Sequence, residues 1–114
     1  MDRQGDDSWA AMMAAVRAFH DKHELRRHGG EELSYRVALM AEELGEISAC
    51  VTKGRSKDSL AEELADLLIL LMGTEIAADV DLKQAFWKKM EALMQRESRM
   101  IGGRIRVSDF NHVD

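Results

Sequence analysis

A chain of 114 residues holds one domain with a modest core, so oligomerisation is an expected source of further burial. Charged residues at 32%, aromatics at 5%, eight methionines and no proline suit packed amphipathic helices and argue against a sheet-based core. The formal charge of −5 argues against nucleic-acid binding, and the single Cys50 excludes an internal disulfide.

Residues 1–7 carry no apolar run behind a basic start, which predicts a disordered N-terminus, no signal peptide and a cytoplasmic protein. Ser8 is placed to cap a first helix whose Trp9, Met12, Met13, Val16 and Phe19 form one apolar stripe, ending near His23. His20 and His23 stand three apart with no matching acidic or cysteine partner, which predicts surface or phosphate-facing histidines. His28-Gly29-Gly30 is a loop.

A second helix is predicted from about Glu31 to Lys53, with Leu33, Val37, Met40, Leu44, Ile47 and Val51 as its stripe and Glu43 and Glu46 beside it. Glu42 points about 100° away from Glu43, which predicts a group behind the ligands or at the surface, with a ligand as the alternative. Gly54 suits the left-handed position after that helix, and Asp58 or Ser59 can cap the next one, Ser59 with Glu62 having capping-box spacing. The third helix, Ser59 to about Ala78, contains the apolar run Leu67 to Met72, and Gly73 permits close approach. Such a run cannot form a stripe. It predicts a helix buried on all sides, either at a subunit interface or at the centre of a monomer.

Asp79-Val80-Asp81 is a turn with Asp81 as N-cap of a fourth helix, which turns Leu82, Ala85, Phe86, Met90 and Leu93 inward and carries Lys88, Lys89 and Arg96 as a basic face. The helical domain is expected over 8–100. Residues 101–114 form a C-terminal tail, in which Ile101 to Val107 alternate after a glycine hinge and Arg104 and Arg106 are free to reach a site or a neighbouring subunit.

Two acidic motifs organise the chain: Glu43-Leu-Gly-Glu46 and Glu63-Leu-Ala-Asp66. In each, carboxylates three residues apart share one helix face. Glu46 with Glu63, and Glu43 with Asp66, lie equally far from a centre between Gly54 and Arg55, so an antiparallel hairpin sets them opposite one another. Four converging like charges beside apolar neighbours require pairing or a metal, and an all-oxygen set favours Mg²⁺ or Mn²⁺ over zinc. Such a metal holds phosphate oxygens and activates water for attack on phosphorus, with one carboxylate available to orient or deprotonate that water. Lys89 and Arg96 would neutralise phosphate charge.

The motif E-E-L-G-E at 42–46, then E-L-A-D at 63–66, an apolar run, and V-D-L-x-x-A-F at 80–86 resembles the MazG-like all-α nucleoside triphosphate pyrophosphohydrolases over about residues 33–96. The resemblance implies a four-helix, bundle-like all-α fold assembled as a homodimer or homotetramer. It also implies Mg²⁺-dependent hydrolysis of a nucleoside triphosphate to monophosphate and pyrophosphate, with a nucleotide-pool house-cleaning role. By position Glu43, Glu46, Glu63 and Asp66 take the metal-ligand and catalytic places. Lys89 and Arg96 fit two cationic places on the last helix, but Leu93 stands where relatives often have Asn, a departure for which the Gly-Gly-Arg tail is a candidate substitute. Trp9, Phe19, His20, Tyr35 and Trp87 are candidates for stacking on a base by chemistry alone. The alternative is a non-catalytic helical interaction module with a structural cation site. A di-iron bundle would require Glu-x-x-His pairs, and no Glu here is followed three residues later by His.

Overall fold

Ser8 starts the first helix: its side chain accepts a hydrogen bond from the Ala11 N–H at 3.1 Å, satisfying one of the orphan donors of a helix N-terminus. In a computed structural model describing residues 8–110, the order is α1 (Trp9–Lys22), α2 (Leu33–Thr52), α3 (Lys57–Ala78), α4 (Leu82–Met94), β1 (Glu97–Ile101) and β2 (Arg104–Ser108). The fold is all-α in class, with four helices and one hairpin. The segments 1–7 and 111–114, including the expected disordered N-terminus, lie outside the described residues.

The α2–α3 turn closes as its chemistry predicts. Gly54 has φ +64°, and the N–H groups of Gly54 and Arg55 bond back to the carbonyls of Val51 and Cys50. The cap of α3 differs from expectation: Ser56, not Asp58 or Ser59, accepts from the Ser59 N–H at 3.2 Å, so the helix begins two residues earlier. Three short polar residues compete there, and the backbone selects the first.

The chain divides into two compact units, Met1–Val80 and Asp81–Asp114. In the first, α3 packs against α2 and α1 around Val16, Cys50 and Met72. The apolar run of α3 is not buried on all sides within the chain. Met72 is buried, whereas Leu64, Leu68 and Leu71 lie open on one helical face, as do Val37, Leu44 and Val51 on α2.

In the second unit Asp81 caps α4, its Oδ1 accepting from the Gln84 N–H at 2.9 Å. Leu82, Met90 and Leu93 are half-buried, but Ala85 and Phe86, expected inward, are exposed. The helix stops at Met94, and residues 97–108 form an antiparallel hairpin turning at Gly102-Gly103, with Glu97 opposite Ser108 and Arg99 opposite Arg106. The strand thus begins four residues before the point where the alternation becomes visible in the sequence. Strand pairing, which is not a local property, ends the helix early.

Candidate functional site

The α2–α3 hairpin gathers the carboxylates of Glu43, Glu63 and Asp66, with one oxygen of each within 4.8 Å of the others. Glu43 is the inner member. Glu43 and Glu63 are half-buried, and Asp66 stands exposed at the edge. The Glu43 carboxyl is pushed up from 4.5 to about 7, first by a hydrogen bond shared with Glu63. Burial, the charges of Asp66 and Glu63, and a hydrogen bond with Asp66 add to the effect. Glu43 Oε1 is buried with no hydrogen-bond partner.

A carboxylate with one buried, unpartnered oxygen, clustered with two further carboxylates, fits a hard cation, because each group can offer an anionic oxygen. Glu46, one turn beyond Glu43, is exposed and stands outside this set of three. Glu43 lies at the α2–α3 seam, and the 3.6-residue period rotates Glu46 about 60° from it.

Beside the carboxylates opens a cavity of about 270 Å³ with walls of Phe19, Leu39, Ile69 and Leu70, which Glu43 and Asp66 also line. Phe19 is half exposed there, its ring edge-to-face with His23 at 4.9 Å. Among the other aromatic candidates, Tyr35 and Trp87 are exposed, Trp9 is half-buried, and neither Tyr35 nor Trp9 lines this cavity.

His20 is not at the surface, the first of the two places its spacing predicts: it is 3% exposed, with Nδ1 bonded to Glu31 Oε2 at 2.9 Å. His23 is exposed as expected. Arg36, in the first turn of α2, is likewise 3% exposed and is not marked by either acidic motif. Its sequence signal is an arginine beside the apolar stripe of α2 together with a lone glycine, Gly73, directly after the apolar run of α3.

The predicted cations all belong to the second unit. Lys89 lies on α4, and Arg104 and Arg106 are exposed on β2. Arg96 is not on a helix face shared with Lys89, because α4 ends at Met94; it sits in the turn before β1, lining an open cavity with Gln95, Glu97, Ser108, Asp109 and Phe110. Arg99, opposite Arg106, stacks over the Phe110 ring at 4.2 Å.

Residues 13–92 match the family model of phosphoribosyl-ATP pyrophosphohydrolase, a span that includes the three clustered carboxylates, Phe19 and the cavity walls. The chain belongs to that family. Membership places it among MazG-like all-α pyrophosphohydrolases, hydrolases of phosphoric anhydrides, with phosphoribosyl-ATP pyrophosphohydrolase rather than MazG itself as the matched family. The matched span contains Lys89 but stops before Arg96, Arg104 and Arg106. No curated protein and no solved structure matches the chain. Among the described residues, no helix is long and apolar enough to cross a membrane.

Proposed function

We propose that this pyrophosphohydrolase cleaves the α–β anhydride of a nucleoside triphosphate or a derivative of one, giving the monophosphate and pyrophosphate, in a nucleotide-pool house-cleaning role. The carrying observation is the Glu43–Glu63–Asp66 cluster with the unpartnered, buried Glu43 Oε1. Phosphoribosyl-ATP, the substrate in the family's name, carries the same triphosphate chain and belongs among the candidates.

Glu43, Glu63 and Asp66 would hold Mg²⁺ or Mn²⁺, with Glu46 as a further carboxylate near the site. Such an ion, when bound, neutralises phosphate charge and activates water. In the protein's own part of the reaction, water adds to phosphorus, the anhydride P–O bond breaks, and pyrophosphate departs. One carboxylate of the cluster would also orient the attacking water and take its proton. The apolar cavity beside the cluster can seat the nucleoside, with Phe19 offering a face or edge for the base. Lys89, Arg96, Arg104 and Arg106 are the cations proposed to bind phosphate oxygens.

The exposed stripes Val37–Leu44–Val51 and Leu64–Leu68–Leu71 support assembly with a second copy of the chain, since surface stripes this apolar are otherwise exposed at a cost in solubility.

The test is pyrophosphate release from ribo-, deoxy- and modified nucleoside triphosphates and from phosphoribosyl-ATP, with Mg²⁺ or chelator, on wild type and Glu43→Gln. Release that requires both metal and Glu43 supports the proposal and ranks the substrates. Absence of release from every compound, or release unaffected by chelator, refutes it.

A further inference from the structure

The proposed chemistry leaves unused the two most buried polar side chains of the first unit. Arg36 crosses from α2 to α3: Nη2 donates to the Leu70 carbonyl at 2.8 Å and Nε to Thr74 Oγ1 at 3.3 Å, while Nη1 reaches the Gly30 carbonyl at 3.4 Å. Thr74 Oγ1 in turn donates to the Leu70 carbonyl at 2.7 Å. His20, from α1, is tied through Nδ1 to Glu31 in the loop before α2. Both side chains close over Gly73, where a Cβ would overlap Arg36 Nη2 and His20 Nε2. One glycine thus makes room for a cation and an imidazole between three helices.

A buried guanidinium is a poor device for stability alone. Burial disfavours its charge, pulling the Arg36 pKa down, and an apolar side chain of similar volume packs at least as well. What the guanidinium has and an apolar group lacks is direction: its planar fork fixes where the acceptors must lie. Its principal acceptor, Leu70, stands one turn beyond Asp66 on α3 and lines the cavity that Glu43 and Asp66 share. Arg36 itself stands two turns before Glu43 on α2. Phe19, adjacent to His20, forms another wall of the same cavity.

We propose that Arg36, seated with His20 on Gly73, is a positioning residue that locks α2 against α3 and so sets the distance of Glu43 from Glu63 and Asp66 for a divalent cation. The inference rests on the carboxylate site proposed above. A small cation bound at about 2.0–2.1 Å demands near-ideal placement of its oxygens, so a slip of the helices by a fraction of a turn loses it.

The experiment measures the Mn²⁺ dissociation constant from the spin-resonance signal of free Mn²⁺, with helicity and Tm followed on the same samples. The proteins are wild type, Arg36→Ala, Arg36→Lys and Gly73→Ala. Arg36→Ala is expected to weaken Mn²⁺ at least ten-fold, and methylguanidinium, which fits the vacated space, to restore most of that loss. Arg36→Lys keeps the charge but not the fork and is expected to recover only part of the affinity. Gly73→Ala favours the helix intrinsically and keeps Arg36, so a ten-fold loss in that folded variant isolates the displaced clasp. Folded Arg36→Ala or Gly73→Ala protein binding Mn²⁺ within two-fold of wild type overturns the proposal, as does methylguanidinium that raises the Tm without restoring Mn²⁺ affinity. A wild type that binds no Mn²⁺ removes the carboxylate site and this role with it, a result distinct from variants that match a wild type that binds.

Discussion

Replacing Glu43 by Gln should remove a pH dependence of stability that the wild type shows without metal. An acid whose folded-state pKa is raised binds its proton more tightly folded than unfolded. Its contribution is therefore complete below 4.5 and is lost as the pH rises through about 7, because above that Glu43 must ionise beside Glu63 and Asp66. A rise from 4.5 to about 7 is worth ~3 kcal/mol at face value. Asp66 stands at the exposed edge and solvent screens the cluster, so about 1–2 kcal/mol is the expected loss. The assay is urea unfolding in chelator at pH 5 and pH 8, at fixed protomer concentration because assembly would couple to stability. The wild type should lose about 1–2 kcal/mol more than Glu43→Gln across that interval, and Mn²⁺ should restore the wild type at pH 8 while leaving the variant largely unchanged. Parallel pH profiles for the two proteins would refute the shared-proton account of the cluster.

Three further outcomes follow from the same geometry. Asp66→Asn should lower pyrophosphate release by about 100-fold or more while leaving helicity unchanged, since it removes one anionic oxygen from an exposed edge; wild-type rates in a folded variant would count against the ligand set. Leu71→Lys, on the exposed stripe of α3, should reduce the mass in light scattering, whereas Leu70→Lys should damage the cavity first; an unchanged mass for Leu71→Lys would remove the case for that face as an interface. Ser56→Ala should cost about 1 kcal/mol by freeing the Ser59 N–H, measured by denaturant unfolding, and a neutral effect would show that Asp58 or Ser59 can take over the cap.

Much of this molecule is written locally. The apolar spacing of α1 and α2, the caps Ser8 and Asp81, the glycine turn at Gly54 and the two acidic motifs all depend on residues within a few positions of one another. A 3.6-residue period and a hairpin centre set Glu43 opposite Asp66, and these two do cluster, but they set Glu63 opposite Glu46 and not with Glu43, where it lies. The end of α4 was not legible because Gln95 to Met100 contain no helix breaker; only pairing with Arg104–Ser108 turns 97–101 into a strand and takes Arg96 off the helix. Leu67 to Met72 named a helix with too much apolar surface, but not which of those residues would face inward.

The sequence alone determined the helical class and the acidic hairpin, because short-range periodicity controls which side chains share a face. Only the tertiary structure decided that His20 is interior, that Arg36 bridges α2 and α3 over Gly73, and that Glu46 stands apart from the other three carboxylates. Each of those depends on which residues of distant helices meet, and a polar side chain is buried only where such partners satisfy its hydrogen bonds.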